Sequence, residues 1–217
     1  KKNLASRLRN GDHHILFRVS QVLEQSAGYR PDSGAINYYR GSPQKYFLRY
    51  RYDYKNLLQY GLVAEKDPGE QFFRGGQKSG FDFYAFHLFI RNAGLAKAVA
   101  LGDFTVNMGQ GLIQWQSLAF KKNADAVKIK RESAVLRPYH SAGESNFYRG
   151  AAVTLARRSL QATLFGSSRK LDANLAADST AGVDDYVTSL QTSGLHRTNS
   201  ELADKGVQTQ ISWGAAL

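Results

Sequence analysis

The chain contains no cysteine, only 4 prolines and a single methionine in 217 residues. Without cysteine, a disulfide scaffold and thiolate metal sites are excluded, and the lack of thiols suits a chain that crosses an oxidising periplasm unfolded. No stretch approaches the roughly 18 to 20 apolar residues of a membrane helix, and the mean hydropathy is −0.43. A helical membrane protein is thereby excluded. A membrane β-barrel is not, because alternating strands average to a hydrophilic score. Lys1-Lys2-Asn3 leads into polar sequence rather than an apolar leader, so a mature form, a fragment or a cytosolic chain is expected. Convincing helical periodicity is also missing. The best helical stretch, NSELADKG (199–206), is expected to be a loop with one turn, capped by Asn199 or Ser200 and stopped by Gly206.

What is present is glycine (20 residues), aromatic side chains (12%) and a net charge of +11. A charge of that size first suggests nucleic acid. The basic residues are spread along alternating segments rather than gathered into an arm, and a charged pore interior accounts for them equally well. Hydrophobic residues reach 42%, enough for a core or a lipid-facing band.

The dominant pattern is a two-residue beat. In YFLRYRYDY (46–54), Tyr46, Leu48, Tyr50, Tyr52 and Tyr54 share one face, and Phe47, Arg49, Arg51 and Asp53 the other. Lys55-Asn56 reads as a hairpin connection, after which Leu58, Tyr60, Leu62 and Ala64 continue the apolar face opposite Gln59, Gly61 and Glu65. In FDFYAFHLFIRN (81–92), Tyr84, Phe86, Leu88 and Ile90 stand against Ala85, His87 and Arg91, with Phe83 and Phe89 interrupting the polar side. Segments 12–25, 95–109, 146–157, 159–171 and 207–217 alternate similarly, the last through Ile211, Trp213 and Ala215.

Globular strands typically run about 5 to 6 residues, whereas tilted membrane strands need roughly 9 to 11; these segments match the longer class. Tyrosine and tryptophan favour membrane interfaces, and so many tyrosines pointing into a soluble core would each need a buried hydroxyl partner. The expected fold is therefore all-β: an antiparallel transmembrane β-barrel, porin-like, of about 10–12 strands, occupying 1–217 as part of a larger barrel. Tyr46, Tyr50, Tyr52, Tyr60, Tyr84 and Trp213 are candidates for the lipid and interface belt. Arg49, Arg51, Asp53, Glu65, His87 and Arg91 are candidates for the lumen wall.

Residues 109–145 break the rhythm. They read either as a loop folded into the lumen or as two further strands, LIQWQSLAF and AVKIKRESAVL. Lys121, Lys122, Lys128, Lys130, Arg131 and Arg137 crowd this segment against Asp125 and Glu132. Inside a lumen they would favour anionic solutes; outside, lipopolysaccharide phosphates or a protein partner; in the periplasm, DNA or an acidic partner. A solvated loop with no selective role is the plain alternative. The GQG at 109–111 lacks the spacing of a phosphate loop and reads as a sharp bend where a strand leaves the wall.

Chemistry is thinly represented. His13 and His14 would point to opposite faces of a strand and cannot share one ion. Ser79, His87 and Asp82 contain the residue types of a hydrolase triad, but no glycine-framed nucleophile supports them. No catalytic, cofactor-binding or metal-binding residue is assigned, and the chain is not expected to be an enzyme.

Longer strings carry a resemblance. AEKDPGEQFFRGGQKSGFDFYAFHLFIRN, KAVALGDFTVNMGQGLIQWQSLAFKKNADAVKIKR, AVLRPYHSAGESNFYRGAA, SSRKLDANL and SLQTSGLHRTNSELADKG resemble the outer-membrane barrel region of the Bacteroidota helix-hairpin-helix domain-containing proteins, from about Asn10 to the end. The resemblance implies a porin-like barrel in the outer membrane of a Gram-negative envelope. No helix-hairpin-helix module is present in this chain, so no DNA-contacting role follows from those modules, and nucleic acid is not an expected partner. Trp213-Gly214-Ala215-Ala216-Leu217 lacks the terminal aromatic of a finished barrel, which is why a fragment is expected. Outer-membrane lipid, lipopolysaccharide and an envelope protein are the expected partners. Two functions follow: transport of anionic or bulky solutes, or a non-conducting assembly barrel in an envelope complex, with DNA or secretion-related partners reached through modules absent here.

Overall fold

Alternation of aromatic or β-branched residues with polar ones produces an all-β chain, because such side chains fit a pleated surface covered on one side. The structure is a computed structural model, described here for residues 4–30, 37–117, 133–178 and 183–217. Lys121, Lys122, Lys128, Lys130 and Arg131 lie outside the described residues. A short helix α1 (Leu4–Arg9) precedes β1 (Asp12–Ser20), β2 (Lys45–Tyr54), β3 (Leu58–Lys66), β4 (Phe83–Ala93) and β5 (Ala96–Met108). Then come β6 (Gln114–Trp115), β7 (Leu136–Pro138), β8 (Tyr148–Arg157), β9 (Leu160–Asp178), β10 (Val183–Gln191), helix α2 (Asn199–Ala203) and β11 (Gln208–Ala216).

The eleven strands form one antiparallel sheet in the order β1-β2-β3-β4-β5-β8-β9. The first half of β9 pairs with β8 and also with β11; its second half pairs with β10. Among the described residues β1 and β11 do not pair with each other, so the sheet is open rather than a closed barrel. The tight connections follow local chemistry. Lys55 and Asn56 take left-handed backbone angles, φ 47° and 59°, and Leu57 N–H donates to the Tyr54 carbonyl at 2.8 Å, joining β2 to β3. Arg158, φ 56°, turns β8 into β9.

Gly102 is where the regular sheet splits. The β4–β5 ladder runs from the Ala93–Ala96 pair to His87–Gly102 and stops. Gly102 has φ +86°, and a Cβ there would lie 2.3 Å from the Phe86 carbonyl oxygen. Only glycine fits both demands. Beyond it, Asp103–Met108 of β5 is buried throughout, and β7 takes the vacated edge at residues 104–106. The Asp103 carboxylate fills the remaining gap: it accepts from Phe86 N–H at 2.9 Å and from Arg149 Nε at 2.7 Å and Nη2 at 3.0 Å. The GQG turn is also present, as a short 3₁₀ turn over 109–111 with left-handed Gln110 (φ 57°), but the divergence begins at Gly102. Of the two further strands considered for 109–145, the described residues contain only the short β6 and β7.

Three apolar clusters hold the sheet together. Phe89, Ala100, Phe104, Val106, Met108, Leu136 and Ala152 surround the buried half of β5. Phe47, Val63, Phe83, Ala85 and Phe147 pin residues 139–147 against the face that carries His87; each such aromatic contributes about 1.5–3 kcal/mol by burial. Tyr52, Tyr54 and Leu58 form the third, at one rim. The 199–206 stretch contains the single helical turn expected, over Asn199–Ala203. Thr198, not Asn199 or Ser200, caps it, through a reciprocal capping box with Glu201.

Candidate functional site

The strand registers put one parity of side chains on each side of the sheet. One face runs through Ile15, Phe17 and Val19 of β1 to Tyr50, Leu48 and Tyr46 of β2. It continues to Leu62 and Ala64, then Phe86 and Tyr84. Leu101, Ala151 and Val153, Leu164, and finally Trp213 and Ala215 extend it across β5, β8, β9 and β11. Much of this face is open to its surroundings: Ile15 is 74% exposed and Trp213 84%. Exposed apolar patches on soluble monomers rarely exceed a few hundred Å², whereas this one spans eight strands.

Of the belt candidates, Tyr46, Tyr50, Tyr60, Tyr84 and Trp213 occupy this face. Tyr52 shares it but is 0% exposed, which corrects its assignment to a lipid-facing belt. Its hydroxyl donates to the Arg7 carbonyl at 2.5 Å and accepts from Gly11 N–H at 2.8 Å, so α1 and the residues after it cover the ring. His13 is drawn to the same side, with Nδ1 2.9 Å from the Tyr50 hydroxyl, while His14 pairs with Arg51 on the other.

The opposite face carries the six lumen-wall candidates, and the structure divides them into paired and unpaired groups. Glu65 is held by Lys45 Nζ at 2.8 Å, and Lys45 also binds Asp67 at 2.5 Å. Asp53 accepts from Asn56 N–H at 3.1 Å and from Gln59. Arg91 donates to the Asn56 carbonyl at 2.9 Å and lies over the Phe89 ring. These groups form a satisfied polar lining.

Arg49, Arg51 and His87 behave differently. Across the strands runs one row in direct register: His14, Arg51, Gly61, His87, Gly102, Gly150, Ser167 and Ser212. It contains no large apolar side chain. Gly61 leaves room for the His87 ring; a Cβ would meet the ring carbon at 2.9 Å. Arg51 Nε and His87 Nδ1 are buried without a hydrogen-bond partner among the described residues, each at a cost of about 1–3 kcal/mol. His140 stands above, its ring centroid 6.0 Å from that of His87. Burial, followed by the charges of Arg51, Arg49 and Arg137, pushes the His140 pKa below the ordinary imidazole value. Arg137, the one described member of the basic segment, donates to Ser117 Oγ at 3.3 Å. The row is thus a cationic strip with no carboxylate beside His140 among the described residues.

A second concentration of charge at one rim was not visible in sequence. His196 Nδ1 lies 2.5 Å from Asp82 and Nε2 3.1 Å from Asp172; Lys205 Nζ reaches Asp82 at 2.8 Å, and Glu70 accepts from His196 N–H at 2.9 Å. Burial lowers the His196 pKa, but the hydrogen bonds to Asp172 and Asp82 outweigh it and raise it to about 9. His196 is therefore an imidazolium donating from both nitrogens. Burial and the charge of Asp82 raise Glu70 to about 7 and Glu144 to about 8. Glu70, Asp82 and His196, or Glu144, Asp172 and His196, stand close enough to share an ion. An imidazolium offers no lone pair, so this network reads as a charge-balanced clamp joining the loop before β4 and the segment around α2 to strand β9. Residues 82, 172 and 196 are too far apart in the chain for any spacing to have betrayed it; an acidic residue between two phenylalanines, Phe81-Asp82-Phe83, was the single local hint.

No protein-family model, curated protein or solved structure matches the chain.

Proposed function

We propose that the chain forms wall of a bacterial outer-membrane β-barrel whose polar face lines a passage for anionic or bulky solutes. The observation that carries this reading is the inversion of the sheet: the exposed face is apolar over eight strands, and the covered face holds the arginines, histidines and carboxylates. In water that arrangement exposes the wrong side; in lipid it satisfies both. The porin-like architecture is also what the resemblance of the sequence implies. Arg49, Arg51 and Arg137 beside His87 and His140 supply the preference for anions.

Brominated lipid tests the membrane half. Full-length protein in vesicles of brominated phosphatidylcholine should lose most of the Trp213 emission, read in a Trp115→Phe background; unquenched emission would overturn the placement. Planar-bilayer conductance tests the passage: anion-selective steps, shifted toward cations in Arg51→Gln, are the expected result. One observation favours the second reading, a non-conducting assembly barrel. Residues 139–147 already pack on the polar face through Phe147, and a quenched but electrically silent protein would establish that reading instead.

A further inference from the structure

A cavity of about 360 Å³ lies beside the rim clamp, between the start of β4, the loop before β8, the middle of β9 and residues 190–206. Its volume falls in the range of small-molecule sites, roughly 300–1,000 Å³. Five cationic side chains line it: Arg149, Arg169, Lys170, His196 and Lys205. Three carboxyl groups face them, Asp82, Asp172 and Glu144. Asp82 and Asp172 are consumed by His196 and Lys205, and Arg149 by Asp103.

Arg169 and Lys170 remain; Lys170 is exposed, whereas Arg169 is held in the wall. Its Nε donates to Gln210 at 3.1 Å and its Nη2 to the Ser145 carbonyl at 2.6 Å, while its guanidinium lies over the Phe147 ring. Nη1 is buried and has no acceptor among the described residues. Among the described residues no carboxylate pairs with it, although Glu144 is adjacent in the chain to the serine that Arg169 holds. Glu144 stays a neutral acid at pH 7 because burial and Asp82 raise its pKa to about 8. A neutral carboxyl can donate a hydrogen bond to an anion where a carboxylate would repel it.

We infer that this cavity binds the oxyanion group of a small solute, a carboxylate or a phosphate, with Arg169 as the principal charge partner. Arginine is suited to both groups because its planar fork matches two oxygens at once. The inference goes beyond the wall reading and does not rest on conduction: the cavity can hold its ligand whether or not the sheet encloses an open bore.

Isothermal titration of the full chain in detergent, at constant ionic strength, tests it with inorganic phosphate and with succinate as the two probes. Saturable single-site binding of either is expected, weakened at least tenfold in Arg169→Gln and unchanged in Arg157→Gln, which removes an exposed charge at the far end of β8. Binding of phosphate alone or succinate alone identifies the source of the oxyanion. Absence of saturable binding of both, or equal binding by parent and Arg169→Gln, would overturn the inference. Should Arg169→Gln fail to fold by circular dichroism, Arg169→Lys keeps the charge but removes the fork, and a several-fold loss is expected there; unchanged affinity would refute the role of Arg169.

Discussion

Phe86 and His87 are chain neighbours on β4, yet the first is 53% exposed and the second 2%. The pair states the difference between the two faces in miniature. Pleating sends them to opposite sides, and the middle of the sheet is covered on one of them: 139–147 by packing, 196–205 by ion pairs. The apolar side is covered at its two rims: α1 lies over Tyr52 at one, and at the other Phe72 packs on Tyr46 while buried Lys66 donates to the Ser42 and Gln44 carbonyls. Burial in this sheet therefore does not follow hydrophobicity. It follows where the loops return, and the loops return to the charged side because carboxylates, imidazole and guanidinium groups there can anchor them.

The strongest way to break that contrast is to remove an anchor. His196→Ala should leave the buried Asp82 carboxylate with Lys205 alone and the partly buried Asp172 without its imidazolium, and cost about 3 kcal/mol, measured by denaturant titration of the detergent-solubilised protein. The pH dependence has a definite sign. The folded-state value of His196, about 9, lies above its ordinary 6.5, so its stabilisation is complete below about pH 6.5 and is lost as pH rises through 9. Glu70 and Glu144, also raised in the fold, lose stability in the same direction. Stability should fall between pH 6 and 10, and less steeply in His196→Ala; a flat profile in the parent would count against an imidazolium clamp.

A charge placed on the other face sharpens the comparison. Phe86→Arg should destabilise the protein in vesicles by about 2–4 kcal/mol if Phe86 meets hydrocarbon near the midplane, while Gln59→Arg, on the polar side, should change little. Equal, small effects would mean that both faces see water. Third comes Gly102→Ala. Its positive φ and the close Phe86 carbonyl predict a loss of about 1–3 kcal/mol without any change of face; a neutral result would show that β5 does not part from β4 where the geometry places the split.

Much of this contrast was legible in the sequence because a period of two needs only local residues to reveal it. The hairpin at Lys55-Asn56 and the parities of 46–54 and 83–90 appear in the structure as read. What stayed hidden depends on return contacts. LASRLR is too short to announce a helix, so nothing warned that Tyr52 would be covered. The first strand stops at Ser20 rather than running to residue 25, where its ladder with β2 ends at Lys45. VDDYVTSLQ mixes charges into an otherwise strand-like segment, and β10 exists because β9 offers it a partner. The rim clamp joins residues 114 positions apart, beyond the reach of any pattern along the chain.

Strand β9 is 19 residues long. At about 3.3 Å per residue it extends roughly 60 Å, while a tilted strand crosses hydrocarbon in about 9–11 residues. Only its first part, up to Leu171, is flanked by β11; from Asp172 onward its ladder is with β10. Under the proposed membrane placement, that second half stands clear of the bilayer as a two-stranded mast. It gives the molecule a built-in handle: an epitope or fluorophore fixed at Ser189 would report which side of the membrane the mast faces, without touching the wall beneath it.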